Sequence, residues 1–119
     1  MRYHTQAQEL IRRSGGEARR LGHSYVGSVH LLLALCQAPG GTAQLLRSFG
    51  VEPEFLRELT RLLYGVGKPE LPLPQGLTPE ARRILTLACR EARRQGKRQV
   101  EPAHVLLAMA RTEHSGAGL

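Results

Sequence analysis

A passage around residue 30 occurs twice in this chain, and this repetition constrains the fold more than any other feature. A shift of 74 residues aligns Tyr3–Gln37 with Leu77–Arg111 without a gap, and eleven of these 35 positions are identical. Average composition predicts about two identities by chance. The identities include "EARR" at 17–20 and 91–94, and a histidine before an apolar run at His30 and His104. The chain is therefore an internal duplication, and we expect both copies to adopt the same local structure.

The first copy predicts four helices. Apolar and small residues at helical spacing give the first helix its buried stripe, and Gly22 suits its C-terminal stop. Ser28 is a favourable N-cap for a second helix that runs to about Cys36. A third helix is predicted over about 42–49, and Pro53 opens a fourth. The apolar face of that fourth helix comprises Phe55, Leu59, Leu62 and Leu63.

Two glycines fall inside the first predicted helix. Ser14, Gly15 and Gly16 stand where the second copy has Ala88, Cys89 and Arg90. Each glycine costs a helix interior about 1 kcal/mol relative to alanine. The sequence therefore predicts a bend or break here or, alternatively, a site where something packs closely on the backbone.

The second copy is shorter than the first. It follows a Pro/Gly-rich linker at 65–76 and begins with Thr78 as N-cap and Pro79 in the first turn. A further helix is predicted from Glu101 or Pro102 to about Arg111. Residues 115–119 align with 41–45, the start of the third helix. We therefore expect a first repeat of four helices at 1–64, a linker at 65–76, and an incomplete second repeat of two helices at 77–119.

Composition favours helices and a soluble protein. Five aromatic residues and no Trp leave Leu, Val, Ile and Ala to build the core, which indicates an all-α fold. No apolar run approaches the roughly 20 residues of a membrane span, and the first ten residues lack the apolar core of a signal peptide, so we expect a cytoplasmic location. The net charge of +7 indicates either a solvated basic surface or an anionic partner.

The residues give no support for catalysis, a metal site or a cofactor. His30 and His104 lack further ligands at metal-binding spacing, so we expect structural histidines near helix starts. Cys36 and Cys89 are expected to be buried, reduced thiols. The segment "GVGK" at 65–68 lacks the spacing of a phosphate-binding loop. We therefore predict that the chain is not an enzyme.

The passages "EARRLGHSYVGSVHLLLAL" and "EARRQGKRQVEPAHVLLAM" resemble the Clp N-terminal (Clp repeat) domain of Clp ATPases. The family pattern is a helix ending in EARRLGH, a short turn, and then GTEHLLLGLL. The first copy matches it at Glu17–His23, Gly27 and His30–Leu35, and the second at Glu91–Arg94, Gly96 and His104–Met109. The resemblance spans nearly the whole chain.

This resemblance implies a pseudo-two-fold helical bundle without catalytic activity of its own. Such a domain docks adaptors or unfolded substrates for an attached Clp AAA+ unfoldase hexamer. An alternative is a stand-alone accessory protein, similar to the domain-only Clp proteins of plastids. Nucleic-acid binding is a third and weaker alternative, since aromatic stacking residues and a recognised motif are missing.

The chain departs from the family pattern at the glutamate of GTEH. In the ClpC branch of the family, this glutamate is similar to a charge clamp for the guanidinium of phosphoarginine. Val29 and Ala103 replace that glutamate in the two copies. A carboxylate–guanidinium hydrogen bond contributes roughly 1.5–3 kcal/mol, so its loss in both copies should weaken such binding by orders of magnitude. Phosphoarginine recognition is therefore not predicted.

The resemblance and the basic clusters together nominate the site residues. The partner-binding candidates are the two turns and the arginines of each "EARR": Ser28, Val29, Pro102, Ala103, Arg19, Arg20, Arg93 and Arg94. The structural candidates are His30, His104, Gly22 and Gly96. Because the second repeat lacks two helices, its apolar faces should lack part of their cover, and we expect a homodimer or a larger assembly.

Overall fold

Six α-helices account for most of the described chain, so the predicted all-α class is confirmed. The structure is a computed structural model that describes residues 2–3, 5–65 and 76–116. The helices are α1 (Thr5–Arg20), α2 (Ser28–Gln37), α3 (Gly41–Ser48), α4 (Pro53–Tyr64), α5 (Pro79–Arg94) and α6 (Pro102–Gly116). Two short strands, β1 (Arg2–Tyr3) and β2 (Gln99–Val100), complete the elements. Linker residues 66–75 and terminal residues 117–119 lie outside the described residues.

Reciprocal backbone pairing joins the two repeats. β1 pairs with β2 in parallel, with Tyr3 opposite Val100. Val26 forms a parallel bridge with Leu77. The two pairings are equivalent, because the 74-residue shift carries Tyr3 to Leu77 and Val26 to Val100. Each repeat therefore contributes the same two positions to the other, as expected for a pseudo-two-fold arrangement.

The core forms where the helix pairs of the two repeats meet. Within the repeats α1 packs on α2 and α5 on α6, and α2 contacts both α5 and α6. Its largest fully buried apolar side chains come from both copies: Leu10, Leu21, Leu31, Leu33, Leu35, Ile84, Val100 and Val105. Among the described residues, α2 is followed by two helices that pack against it, whereas α6 is followed by none.

The ends of α1 and α5 are built alike. Gly22 and Gly96 both have φ of 73°, a left-handed conformation that glycine adopts without strain. The His23 N–H donates to the Ala18 carbonyl at 2.8 Å, and the Lys97 N–H donates to the Ala92 carbonyl at 2.9 Å. Both helices thus end in a Schellman motif. The start of α5 is also as predicted, since the Thr78 hydroxyl accepts from the Ala81 N–H at 3.1 Å.

Two helices differ from the sequence prediction. α1 continues without a break through Gly15 and Gly16, so a break there is wrong. Among the described residues, no atom beyond the backbone of α1 lies within 4 Å of a β-carbon placed on either glycine, so no described part of the chain packs closely on this backbone. α6 extends to Gly116 rather than to about Arg111, because no glycine or proline interrupts residues 103–115 before "SG".

The apolar face of α4 points away from the core. Phe55 is 63% exposed, Leu59 37%, Leu62 80% and Leu63 67%. The inner face of α4 carries Leu56 and Thr60 instead, and the Thr60 hydroxyl donates to the Leu56 carbonyl at 2.7 Å. The helical spacing of the four residues was predicted correctly. However, a helical pattern does not reveal whether an apolar stripe faces its own core or a partner.

No single helix among the described residues is long and apolar enough to cross a membrane. α2 and α3 pass that test of length and composition as a pair, but they are bent by 103° at their junction. Six of the ten residues of α2 are buried in the core of the bundle.

Replacement of Gly15 or Gly16 by alanine should stabilise the protein. Both glycines lie within α1 and neither has a neighbouring atom where the methyl group would be placed. Each substitution should raise the free energy of unfolding by roughly 0.5–1 kcal/mol through helix propensity and a more restricted unfolded chain. Urea denaturation monitored by circular dichroism measures this change. Gly22→Ala is the matched control and should destabilise, because φ is 73° there. A loss of stability in Gly15→Ala and Gly16→Ala would contradict the open surroundings described for α1.

Candidate functional site

The turn before α2 differs from the predicted cap. Gly27, not Ser28, is the N-cap residue, and Ser28 is the first residue of the helix. The ring of His30, at the third helical position, accepts a hydrogen bond from the Gly27 N–H at Nδ1, at 2.8 Å, which is the reciprocal half of a capping box. The Ser28 hydroxyl donates to Glu80 Oε1 on α5, at 2.8 Å. The prediction of Ser28 as N-cap was therefore wrong, and Ser28 links the two repeats instead.

His30 belongs to a chain of hydrogen bonds that reaches the end of α4. Its Nε2 lies 2.9 Å from Nδ1 of His23, whose Nε2 lies 3.0 Å from the Gly65 carbonyl oxygen. Because Nδ1 of His30 is an acceptor, the neutral ring carries its proton on Nε2 and donates to His23. His23 then accepts at Nδ1 and donates from Nε2 to Gly65. Every atom in the chain is matched when both rings are neutral.

The second copy repeats the cap without the second histidine. Nδ1 of His104 accepts from the Glu101 N–H at 2.9 Å, and its Nε2 lies 3.1 Å from Gln95 Oε1. Lys97 stands at the position equivalent to His23. Both His30 and His104 are buried. Within the described residues no group of three His, Cys, Asp or Glu side chains could hold a metal ion.

Burial and neighbouring charge set the protonation of His30. Burial and then the charge of His23 lower the pKa of His30 to about 4, against an opposing influence of Glu17. His30 is therefore neutral at physiological pH, which is the state that the cap hydrogen bond requires.

A buried carboxylate lies at the same position in each repeat, but its partners differ. Arg57 of α4 donates from Nε and Nη2 to the two carboxylate oxygens of Glu17, each at 3.0 Å, and Gln37 donates to Oε2 at 2.7 Å. Burial raises the pKa of Glu17, but the hydrogen bonds from Arg57 and Gln37 and nearby positive charge bring it below its usual value. These bonds tie α4 to α1 and α2.

In the second repeat, Glu91 is the equivalent carboxylate. Arg111 stands where the first copy has Gln37, and its Nε lies 2.9 Å from Glu91 Oε1. Arg94 Nη2 is 3.5 Å from Oε2, which is buried without a hydrogen-bond partner among the described residues. Arg111 on α6 thus provides positive charge that Arg57 on α4 provides in the first repeat.

An apolar groove of about 700 Å³ lies between α2, α5 and α6. We call it the interrepeat groove, and its apolar lining is Val29, Leu32, Pro79, Ile84, Leu106, Met109 and Ala110. Ser28, Glu80 and Arg83 also line it and supply polar groups. A second hollow of about 540 Å³ shares Ser28, Val29 and Glu80 with the groove and is bordered by His23 and Tyr25. Ser28 and Val29 therefore lie between two concave surfaces.

Only two of the eight predicted partner-binding residues line the interrepeat groove. Ser28 and Val29 line the interrepeat groove, while the equivalent Pro102 and Ala103 do not. Pro102 is buried and Ala103 is exposed. The four arginines, at the C-terminal ends of α1 and α5, are exposed and lie outside the groove lining: Arg19, Arg20, Arg93 and Arg94.

The residues that α5 and α6 contribute to the groove were not predicted from the sequence. Glu80, Arg83, Leu106 and Met109 were assigned to helices, but no role in a site followed from their spacing. A signal was available in the duplication itself. Met109 aligns with Leu35 and Ala110 with Cys36, and the first copy buries both positions. Met109 is half-buried and Ala110 is exposed.

The stability of the protein should fall between pH 7 and pH 5 because of His30. The folded-state pKa of His30, about 4, lies below the usual 6.5, so the stability that depends on its neutral ring is fully present above pH 6.5. This contribution is lost as the pH falls toward 4, by roughly 2 kcal/mol between pH 7 and pH 5. Denaturant unfolding at both values measures it. His30→Gln should remove most of the difference, since glutamine at this helix position can keep the cap hydrogen bond without titrating.

His104→Gln is the matched control at the equivalent cap. It leaves His30, His23 and the Gly65 contact in place, so the loss of stability between pH 7 and pH 5 should persist. Equal pH dependence in the unmodified chain and in His30→Gln would contradict the assignment to His30.

The comparisons with known proteins agree with this geometry. The Clp repeat (R) N-terminal domain family matches residues 2–119. The chain is 36% identical over 113 residues to the chaperone protein ClpB of Oceanobacillus iheyensis, with 92% of this chain and 14% of that protein covered. It is 34% identical over 111 residues to the chloroplastic chaperone protein ClpC2 of Arabidopsis thaliana, with 92% and 12% covered. The chain thus spans about one seventh or less of these relatives.

A solved structure shows the same fold. The crystal structure of the N-terminal domain of the caseinolytic protease associated chaperone ClpD from Arabidopsis thaliana superposes with a TM-score of 0.77. The match covers 98% of this chain and 80% of that one, at 21% identity. With the match of the family over residues 2–119 and the reciprocal pairing of two equivalent repeats, the chain belongs to the Clp repeat N-terminal domain family.

Proposed function

We propose that this chain is a non-catalytic protein-binding module that docks an adaptor or an unfolded substrate for a Clp AAA+ unfoldase. The observation that carries the proposal is the interrepeat groove. Its volume of about 700 Å³ lies within the range of small-molecule and peptide-side-chain sites. Most of its lining is apolar, and a few polar groups lie beside it.

The lining indicates what the groove binds. Val29 offers no carboxylate at the turn where relatives were inferred to hold a guanidinium, so the ligand we propose is an apolar segment of polypeptide. Met109 has an unbranched, polarisable side chain that adapts to different apolar partners. Arg83 and Glu80 can hydrogen-bond to polar groups of such a segment. A surface of this kind suits exposed hydrophobic segments of many sequences.

The position of the groove also supports docking. The groove lies between the two repeats, and the hydrogen bond from Ser28 to Glu80 joins the two repeats at the edge of the groove. Reciprocal pairing at Val26 and Leu77 holds these elements together. A segment bound here would therefore contact a preformed surface on both repeats, which lowers the entropic cost of binding.

Titration of an unfolded polypeptide tests the proposal. Fluorescently labelled, reduced and carboxymethylated lactalbumin is an unfolded probe, and its anisotropy should rise as the chain is added. Val29→Lys places a charge in the apolar groove and should weaken binding at least tenfold, which corresponds to about 1.4 kcal/mol. Circular dichroism checks that the variant remains folded.

The duplication supplies the control. Ala103→Lys makes the same kind of change at the equivalent, exposed turn, which is outside the groove. It should change the dissociation constant less than twofold. If the unmodified chain does not bind the probe, or if Val29→Lys binds it as tightly, the groove is not a docking site for unfolded polypeptide.

A further inference from the structure

The interrepeat groove corresponds to the place that α3 takes in the first repeat. α3 packs on α2 and also contacts α6. The groove is also lined by α6 and α2. Here α6 is the equivalent of the α2 surface on which α3 packs, and α2 is the equivalent of the α6 surface that α3 contacts. At two pairs of equivalent positions the α3 side is the more buried: Leu35 is buried and Met109 half-buried, and Pro102 is buried and Ser28 half-buried; at a third pair Ala103 is exposed and Val29 half-buried. The fold therefore already seats a helix on the equivalent surface.

Among the described residues, α4 has no partner for its apolar face. The stripe of α4 comprises Phe55, Leu59, Leu62 and Leu63, at positions i, i+4, i+7 and i+8 of one helix face. Leu62 is the most exposed of them at 80%. An amphipathic helix with anchors at this spacing is what hydrophobic grooves bind in peptide recognition. Exposed apolar patches on a soluble protein mark such interaction sites.

We propose that the interrepeat groove of one copy binds the α4 stripe of a second copy of this chain. The apolar stripe matches the apolar floor of the groove around Leu32, Leu106 and Met109. The charges match as well, since Glu80 and Arg83 line the groove while Glu58 and Arg61 lie beside the stripe. Each side thus offers one anion and one cation to the other.

This contact joins two different surfaces, so it is heterologous rather than self-complementary. Two such contacts between two copies can close a dimer, and an unclosed contact would extend to further copies. The net charge of +7 on each copy opposes association, so added salt should strengthen it. The inference extends beyond client docking, because a copy bound in the groove would compete with a client for it.

Sedimentation velocity on the unmodified chain and its variants tests the contact. The unmodified chain should sediment above the 13.1 kDa monomer at about 100 µM, more so in 0.5 M than in 0.05 M NaCl. Leu62→Lys changes the stripe at a solvent-exposed position, and Val29→Lys changes the groove. Each variant should associate at least tenfold more weakly. Leu45→Lys, at a half-exposed leucine of α3, and Ala103→Lys are the matched controls and should associate as the unmodified chain does.

A mixture of Val29→Lys and Leu62→Lys tests whether the stripe of one copy contacts the groove of another. Val29→Lys keeps an intact stripe and Leu62→Lys an intact groove, so one stripe-to-groove contact can form in an equimolar mixture, which should associate more tightly than either variant alone. If the mixture associates no more tightly than either variant alone while the unmodified chain dimerises, the contact is not stripe to groove. A chain that is monomeric at 1 mM, or undisturbed association of Leu62→Lys, would also overturn the proposal.

The same variants separate this inference from client docking. Leu62→Lys leaves the groove unchanged, so it should still bind the labelled lactalbumin. Loss of self-association with retained probe binding supports both proposals. Probe binding by a chain that never self-associates overturns this inference alone, and self-association without probe binding overturns client docking alone.

Discussion

The reciprocal pairing of the two repeats is the constraint on which the rest of the structure depends. Tyr3 lies opposite Val100, and Val26 lies opposite Leu77. A short stretch of parallel backbone has little stability of its own. Here each paired stretch comes just before a helix. The Val26–Leu77 pairing therefore fixes where α2 begins relative to α5, and the Tyr3–Val100 pairing fixes where α6 begins relative to α1. The shared core and the interrepeat groove both follow from that placement.

Local features of the fold were predictable from the sequence because their physical cause is local. Gly22 and Gly96 end their helices through a backbone conformation that glycine favours, and Thr78 caps α5 through its own hydroxyl. The duplication also gave the number and order of the helices in each copy. These predictions needed no knowledge of what packs against what.

Predictions that depended on tertiary contacts were less successful. Ser28 was assigned as a cap because its residue type favours that position, but Gly27 is the N-cap residue, and the Ser28 hydroxyl donates to Glu80 of the other repeat. Phe55 and Leu62 have the spacing of a core-facing stripe but lie in solvent. Half of the candidate site followed from the family resemblance, through Ser28 and Val29. The half that α5 and α6 contribute could not be predicted, because it depends on which residues lie opposite Ser28 and Val29 in the folded protein.

His23 and Val26 lie in the turn between α1 and α2 and contact the residues on either side of 66–75. His23 Nε2 holds the Gly65 carbonyl, and the Val26 N–H holds the Gly76 carbonyl at 2.8 Å. Residues 65 and 76 are therefore both fastened to the same turn between α1 and α2. The end of α4 and the approach to α5 are thus positioned by hydrogen bonds to a single turn, so a change in that turn affects both repeats.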